Sequence, residues 1–173
     1  LPILSRGCRF LDFEVVFIED KPYVALTTDP QYTLLDTDNK ILLTDILTAV
    51  NSFAFTNPSP CPSDPIFIQL RVKSDNKRVY TEIAKSIDVA LNYRLYKQEL
   101  NPNTTFNDVM GKAVIIFDND IHPQYKELSA CENPNSETCY DLTKYVNLTS
   151  NSKMSTKRKY LEFLETKRGK ILT

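Results

Sequence analysis

Hydrophobic residues follow two spacings along the chain, one typical of strands and one typical of helices. Short β-rich apolar runs occupy residues 15–18, 66–70 and 113–117, as expected for buried parallel strands. Between them, apolar residues recur at steps of three and four at Leu43, Ile46, Leu47, Val50 and Phe53, and again at Val79, Ile83, Ile87, Ala90 and Leu91. This alternation predicts an α/β fold in which amphipathic helices cover a parallel sheet.

Two acidic residues lie on one face of the first predicted strand. Residues two apart on a strand share a face, so Asp12 and Glu14 point the same way and their apolar neighbours point the other. Neighbouring carboxylates repel each other, and such a pair is usually stabilised by a cation, a basic residue or solvent at the strand end. The pair is therefore the first candidate site.

Several segments around these acids follow one another in an order that a known family shares. They are Gly7-Cys8-Arg9 before the acidic strand, residues 22–26 after a short turn, the helix at 43–50, and the strands at 64–70 and 111–116. This order resembles the X region of phosphatidylinositol-specific phospholipase C, a TIM-barrel phosphodiesterase family. A complete barrel needs about 250 residues. The resemblance therefore implies a partial TIM-barrel-like α/β fold, with parallel strands alternating with helices.

We expect two parts in the chain. A barrel portion covers residues 1–122, and a cysteine-bearing extension that ends in a basic helix covers residues 123–173. The basic residues at 155–170 are interrupted by Glu162 and Glu165, which favours a solvated helix face over a membrane or nucleic-acid patch. Leu1 is not an initiator methionine, and the first residues lead directly into a barrel strand, so we also expect a preceding segment.

The catalytic residues that the resemblance implies are not found in this chain. In the family, a first catalytic His precedes the Gly-Cys-Arg strand, which places it upstream of Leu1, and a second His follows the next strand. Here that region contains Thr27 and Thr28 and no imidazole. Threonine does not titrate near neutral pH, so neither residue can act as the general acid or base of phosphodiester cleavage.

The resemblance also implies a calcium site, and its residues are only partly kept. Asp12 and Glu14 match two carboxylate ligands with the acid types exchanged, whereas Arg71 stands where a third carboxylate belongs. An arginine among calcium ligands repels the ion. We therefore predict a salt bridge of Arg71 with Asp12 or Glu14 at the carboxyl ends of neighbouring strands, in preference to bound calcium. Asp118 and Asp120 replace the family's phosphate-binding lysines and would repel an inositol phosphate.

The four cysteines point to a disulfide and not to a metal site. Cys131 and Cys139 flank a turn-rich loop and are the disulfide candidate. Cys8 and Cys61 are interpreted as small apolar groups, because no His neighbours them in sequence. No cysteine pair has zinc-site spacing, and His122 stands alone beside a proline, so it is interpreted as a loop residue.

Two glycosylation sequons bear on the compartment. They begin at Asn103 and Asn147, and they matter only if the chain enters a secretory compartment. The net charge of -1 gives no reason to expect a nucleic-acid partner, and no apolar stretch approaches the roughly 18 residues of a transmembrane span. The sequence leaves the redox compartment open.

We interpret the chain as a catalytically degenerate X-like module with a structural or interaction role and no cofactor. With its cysteine-bearing extension, it is most similar to X-like domains of large DNA viruses, which implies protein partners such as other capsid proteins and a place in the virion as a minor capsid component. Two alternatives stay open. One is an active phosphodiesterase acting on inositol phospholipids, with a catalytic His upstream of Leu1, and the other is a secreted glycoprotein domain.

Overall fold

A six-stranded sheet organises residues 2–129 and 139–150, the part of the chain that this computed structural model describes. Its strands are β1 (Phe10–Ile18), β2 (Lys21–Val24), β3 (Ile41–Leu42), β4 (Ile66–Lys73), β5 (Ala113–Asp118) and β6 (Leu148–Ser150). The helices are α1 (Pro2–Ser5), α2 (Leu43–Ala54), α3 (Arg78–Leu91), α4 (Phe106–Val109) and α5 (Tyr125–Ser129), with a 3-10 turn at Leu142–Lys144. Within the described residues, no helix is long and apolar enough to cross a bilayer.

Most of the sheet is parallel, as the sequence predicts. The strands lie in the order β3, β2, β1, β4, β5, β6, and the pairs β1–β4, β4–β5 and β5–β6 are parallel. Helices α2 and α3 lie in the connections between parallel strands and pack against each other. The sheet is not closed over the described residues. The predicted fold class, a partial TIM-barrel-like α/β fold, is therefore confirmed.

The first two connections depart from the predicted parallel arrangement. β2 is antiparallel to β1, and β3 is antiparallel to β2. The turn between β1 and β2 holds Glu19 and Asp20 at φ values of 49° and 61°. Positive φ at both central residues is the type I′ geometry that joins antiparallel strands directly. Two residues are too few for the crossover that parallel strands require.

The hydrophobic core lies between the sheet and the helices. Along β4, buried and half-buried residues alternate strictly, and the buried ones are Ile66, Ile68, Leu70 and Val72. Burial of each such side chain contributes about 1.5–3 kcal/mol. The apolar positions that predict α3 are all buried, but Phe53, at the end of the stripe predicted for α2, is exposed.

Residues 139–150 return to the same sheet. Leu142 is part of the core, and β6 pairs with β5. The described part of the predicted extension therefore packs onto the barrel portion, and the division of the chain at residues 122 and 123 stays a prediction. The basic segment at 155–170 lies outside the described residues.

Candidate functional site

The face of β1 and β4 opposite the core carries the acidic pair predicted from the sequence. Asp12 and Glu14 lie on β1, and Arg71 lies on β4. In the parallel register, Glu14 is beside Arg71, and Asp12 is beside Gln69, two residues earlier. Because side chains alternate along both strands, these three charged groups point to one place.

Arg71 bridges the two carboxylates. Its Nε donates a hydrogen bond to Oδ1 of Asp12 at 2.9 Å, and its Nη1 donates to Oε1 of Glu14 at 2.8 Å. Desolvation acts to lower the pKa of Arg71, but the hydrogen bond and charge of Asp12, with the charges of Glu14 and Asp118, together raise it. The guanidinium therefore stays charged and lies where a metal ion would have to bind.

Lys73 is a further member that the sequence reasoning missed. Its Nζ lies 3.0 Å from Oε2 of Glu14, a charge contact without hydrogen-bond alignment, and it donates to the backbone oxygen of Thr27 at 2.7 Å. The sequence contained the information needed to find it, because Lys73 follows Arg71 by two residues on one strand and must therefore share its face. We call Asp12, Glu14, Arg71 and Lys73 the charged cluster.

The donor set of the charged cluster does not fit calcium. Calcium takes about six to eight oxygen ligands, whereas here three of the four carboxylate oxygens already face a nitrogen cation. A calcium ion would have to displace both Arg71 and Lys73. In addition, no group of three or more His, Cys, Asp or Glu side chains in the described residues is arranged to hold a metal ion.

The two carboxylates of the charged cluster lie further from the carboxyl end of β1 than predicted, whereas Arg71 and Lys73 lie near the carboxyl end of β4. Asp12 and Glu14 are the third and fifth of nine residues in β1, so they lie in mid-strand. The prediction that they lie at the carboxyl end is therefore wrong for β1. The reason is the hairpin, because β1 continues to Ile18 and its last four residues pair with β2.

The loop after β2 contains Thr27 and Thr28, which the resemblance predicts to stand where the family has its second catalytic His. Thr27 is buried, and its hydroxyl donates to the backbone oxygen of Leu34 at 2.5 Å. The hydroxyl of Thr28 donates to Oδ1 of Asp36 at 3.0 Å. Both hydroxyls therefore stabilise the loop.

Asp29 organises the turn of the same loop. Its carboxylate accepts hydrogen bonds from the hydroxyl of Thr33 at 2.7 Å and from the backbone N–H groups of Gln31, Thr33 and Leu34. These bonds, with that of the Thr33 hydroxyl foremost, lower the pKa of Asp29 to about 2. The group is ionised at neutral pH and is not a proton donor.

His122, the single imidazole of the sequence, lies on the helix side of the sheet. Its ring meets Tyr80 of α3 edge-on, with the ring centroids 6.3 Å apart, and Tyr80 packs against Phe117 in the core. Burial lowers the pKa of His122, although the charge of Asp75 acts to raise it. His122 is thus a loop residue on the face opposite the charged cluster.

Asn147, a candidate glycosylation site, is buried and used structurally. Its Oδ1 accepts from the backbone N–H of Ile115 at 2.7 Å, and its Nδ2 donates to the carbonyls of Tyr96 at 2.6 Å and Gln98 at 2.8 Å. Only 2% of the residue is exposed. The folded protein therefore has no room for a glycan at this position, which corrects the expectation from sequence. The other candidate, Asn103, is exposed.

The cysteines divide into free and bonded groups. Cys8 and Cys61 are free, and the thiol of Cys8 donates to the backbone oxygen of Phe10. Cys139 is disulfide-bonded. Its predicted partner, Cys131, lies outside the described residues, so that pairing stays a prediction.

Comparisons with known proteins agree with the architecture. The family model for the phosphatidylinositol-specific phospholipase C X domain matches residues 2–118. The crystal structure of L. pealei PLC21 is similar, with 15% identity, a TM-score of 0.54 and coverage of 88% of this chain and 21% of its own. The crystal structure of S. officinalis PLC21 is also similar, with 16% identity, a TM-score of 0.56 and coverage of 88% of this chain and 20% of its own. No curated protein matches the sequence. At these identities the two structures show the fold alone, and the chain spans about a fifth of their length.

Proposed function

Because the chain belongs to the phosphatidylinositol-specific phospholipase C X domain family, we propose that it is a catalytically degenerate member with a structural or interaction role. The observation that carries the proposal is the bridge from Arg71 to Asp12 and Glu14. It places a permanent cation of the protein at the carboxylates, so the chain needs no calcium there.

The charges around the cluster also disfavour a phosphate ligand. Arg71 and Lys73 are already paired with Asp12 and Glu14, and buried Asp118 lies beside Arg71 on β5 and adds a further negative charge. A phosphate would have to break existing ion pairs and approach carboxylates that repel it. Neither cation is free to hold it.

The described residues include no evident general acid or general base near the charged cluster. Cleavage of a phosphodiester needs a proton acceptor and a donor, and loss of one costs about 10²- to 10⁴-fold in rate. The hydroxyls of Thr27 and Thr28 are committed to the loop, and His122 lies on the opposite face of the sheet. The described residues therefore support no general acid–base pair at the charged cluster.

The exposure of the cluster suits a contact surface. The Asp12 side chain is 41% exposed and that of Arg71 is 34% exposed. Charges arranged in this way favour complementary partners and exclude others. The divergent viral form of the domain and a place in the virion, as a minor capsid component among other capsid proteins, are part of this proposal and rest on the resemblance of the sequence alone.

An active phosphodiesterase is the second candidate, and membership of the family is the observation that favours it. It would need an imidazole from outside these residues near the charged cluster. It would also need a metal ion or another cation that leaves the Arg71 bridge intact.

Calcium titration by calorimetry tests the proposal. We expect no binding by the wild-type chain, and binding by Arg71→Glu combined with Lys73→Met, because a third carboxylate replaces the bridging cation and the second cation is removed. Arg71→Met combined with Lys73→Met is the matched control, since it removes both cations without adding a ligand, and it should bind more weakly. Wild-type binding that disappears in Asp12→Ala would contradict the proposal.

A further inference from the structure

We propose that Asn103 carries an N-linked glycan and that the second sequon, at Asn147, is not modified in the folded protein. The site is an exposed asparagine in the loop before α4. It is independent of the charged cluster, so the proposal does not depend on whether that cluster is catalytic.

Asn103 meets the two structural requirements of a glycan acceptor, an exposed side chain and an amide that the fold does not use. It is exposed, its backbone N–H donates to Oδ1 of Asn101 at 2.9 Å, and its side-chain amide makes no hydrogen bond within the described residues. Thr105, which completes the sequon, begins α4 through a capping box with Asp108. A glycan on Nδ2 of Asn103 would therefore extend into solvent and break no contact.

Asn147 has the same sequon and the opposite environment. Both hydrogens of its Nδ2 are donated to backbone carbonyls, and its own backbone bonds to Ile115 and Leu100. A sugar on Nδ2 would replace one of these hydrogens. It would also need space around a side chain that is buried, since only 2% of the residue is exposed. Modification would thus separate β5 from the segment around Tyr96, and a chain modified there would not fold.

A second observation supports passage through an oxidising compartment. Cys139 is disulfide-bonded. Disulfides form and persist in secretory compartments and are rare in the cytosol. N-glycosylation takes place in the same compartments, so the exposed sequon and the disulfide point to one location.

Asn103 and the basic residues of the charged cluster lie toward different ends of β4. The neighbours of Asn103 in its loop, Asn101 and Thr104, line a cavity together with Phe67, the second residue of β4. Arg71 lies four residues further along β4, which is roughly 13 Å at about 3.3 Å per residue. A glycan at Asn103 would therefore lie nearer the amino-terminal end of β4 than Arg71 does.

The test is expression of the full chain behind a secretion signal in eukaryotic cells. Peptide N-glycosidase converts each glycosylated asparagine to aspartate, and mass mapping of the protease-resistant fraction then locates the glycan. We expect one glycan, at Asn103, that is absent from Asn103→Gln. Thr149→Val is the matched control, because it destroys the other sequon, keeps a branched side chain and should leave the glycan in place.

Two results would overturn the proposal. One is an unmodified Asn103 in the total cell lysate, which answers the question even if secretion fails, because the glycan is added before secretion. The other is a glycan on Asn147 in the protease-resistant fraction. A glycan on Asn147 found only in protease-sensitive chains agrees with the proposal, because it shows that modification there and folding exclude each other.

Discussion

The two faces of β4 show which residues the fold needs and which are free to change. The face toward the helices consists of fully buried apolar residues, Ile66, Ile68, Leu70 and Val72. The opposite face consists of half-buried residues, among them Gln69, Arg71 and Lys73. Partly exposed ion pairs contribute about 0–1 kcal/mol each, far less than core side chains. The X-domain fold can therefore persist while the chemistry on the open face is replaced.

The largest effect should come from the buried face. Leu70→Ala removes a fully buried side chain and should lower the free energy of unfolding by about 3–4 kcal/mol. Its neighbour Gln69 is the matched control on the open face, where Gln69→Ala should change stability by less than about 0.5 kcal/mol. Urea denaturation measures both. Equal losses would remove the distinction between the faces.

Asn147 extends the comparison to buried polar groups. Asn147→Ala leaves the N–H of Ile115 and two carbonyls without their partner, and we expect a loss of about 2–3 kcal/mol. Asn103→Ala is the matched control and should be neutral, because Asn103 is exposed. Thermal unfolding of unglycosylated protein compares them, and a neutral Asn147→Ala would show that these hydrogen bonds are not stabilising.

The charged cluster should contribute less. Arg71→Met leaves Glu14, whose side chain is 13% exposed, facing Lys73 alone. We expect a loss of about 1–2 kcal/mol, between the values for exposed and buried pairs. Adding Glu14→Gln should cost less in this variant than in wild type, because one of the two cations that face Glu14 is already absent. A double variant that shows the sum of both single losses would argue against coupling between the two residues.

The smallest effect concerns the loop after β2 and depends on pH. Folding lowers the pKa of Asp29 from 3.8 to about 2, so its ionised form stabilises the loop above about pH 4, and this contribution is lost as pH falls toward 2. Asp29→Asn should therefore unfold at a lower temperature than wild type at pH 7, with the difference shrinking between pH 4 and 2. A difference that stays constant over this range would exclude the ionised carboxylate as its cause.

The spacing of apolar and polar residues along the chain predicts much of the fold and part of the site. The apolar spacing identifies the strands and helices, and the two-residue spacing of Asp12 and Glu14 places them on one face. The same rule applies to Lys73, which was missed because only positions matching the family's metal ligands were considered. Prediction of the salt bridges to Arg71 also requires knowing that β1 pairs with β4.

Two features depend on information that is not local in the sequence. The β1–β2 turn has Glu19 and Asp20 where Asn-Gly would signal a hairpin, so the antiparallel strand and the mid-strand position of the acids were not evident. The burial of Asn147 depends on contacts with Tyr96 and Ile115, which are distant in the chain. The sequon of Asn147 is of the same type as that of Asn103, so the sequon itself does not indicate that Asn147 is buried.

Hydrolysis of phosphatidylinositol by the full-length protein tests the central claim most directly. Vesicles are incubated with the protein in calcium and in chelator, and released inositol phosphate is measured. We predict no turnover in either condition, because Arg71 bridges the carboxylates and the described residues place no imidazole beside them. Calcium-dependent turnover that is abolished by Asp12→Ala would contradict the account and identify the chain as part of an active phosphodiesterase.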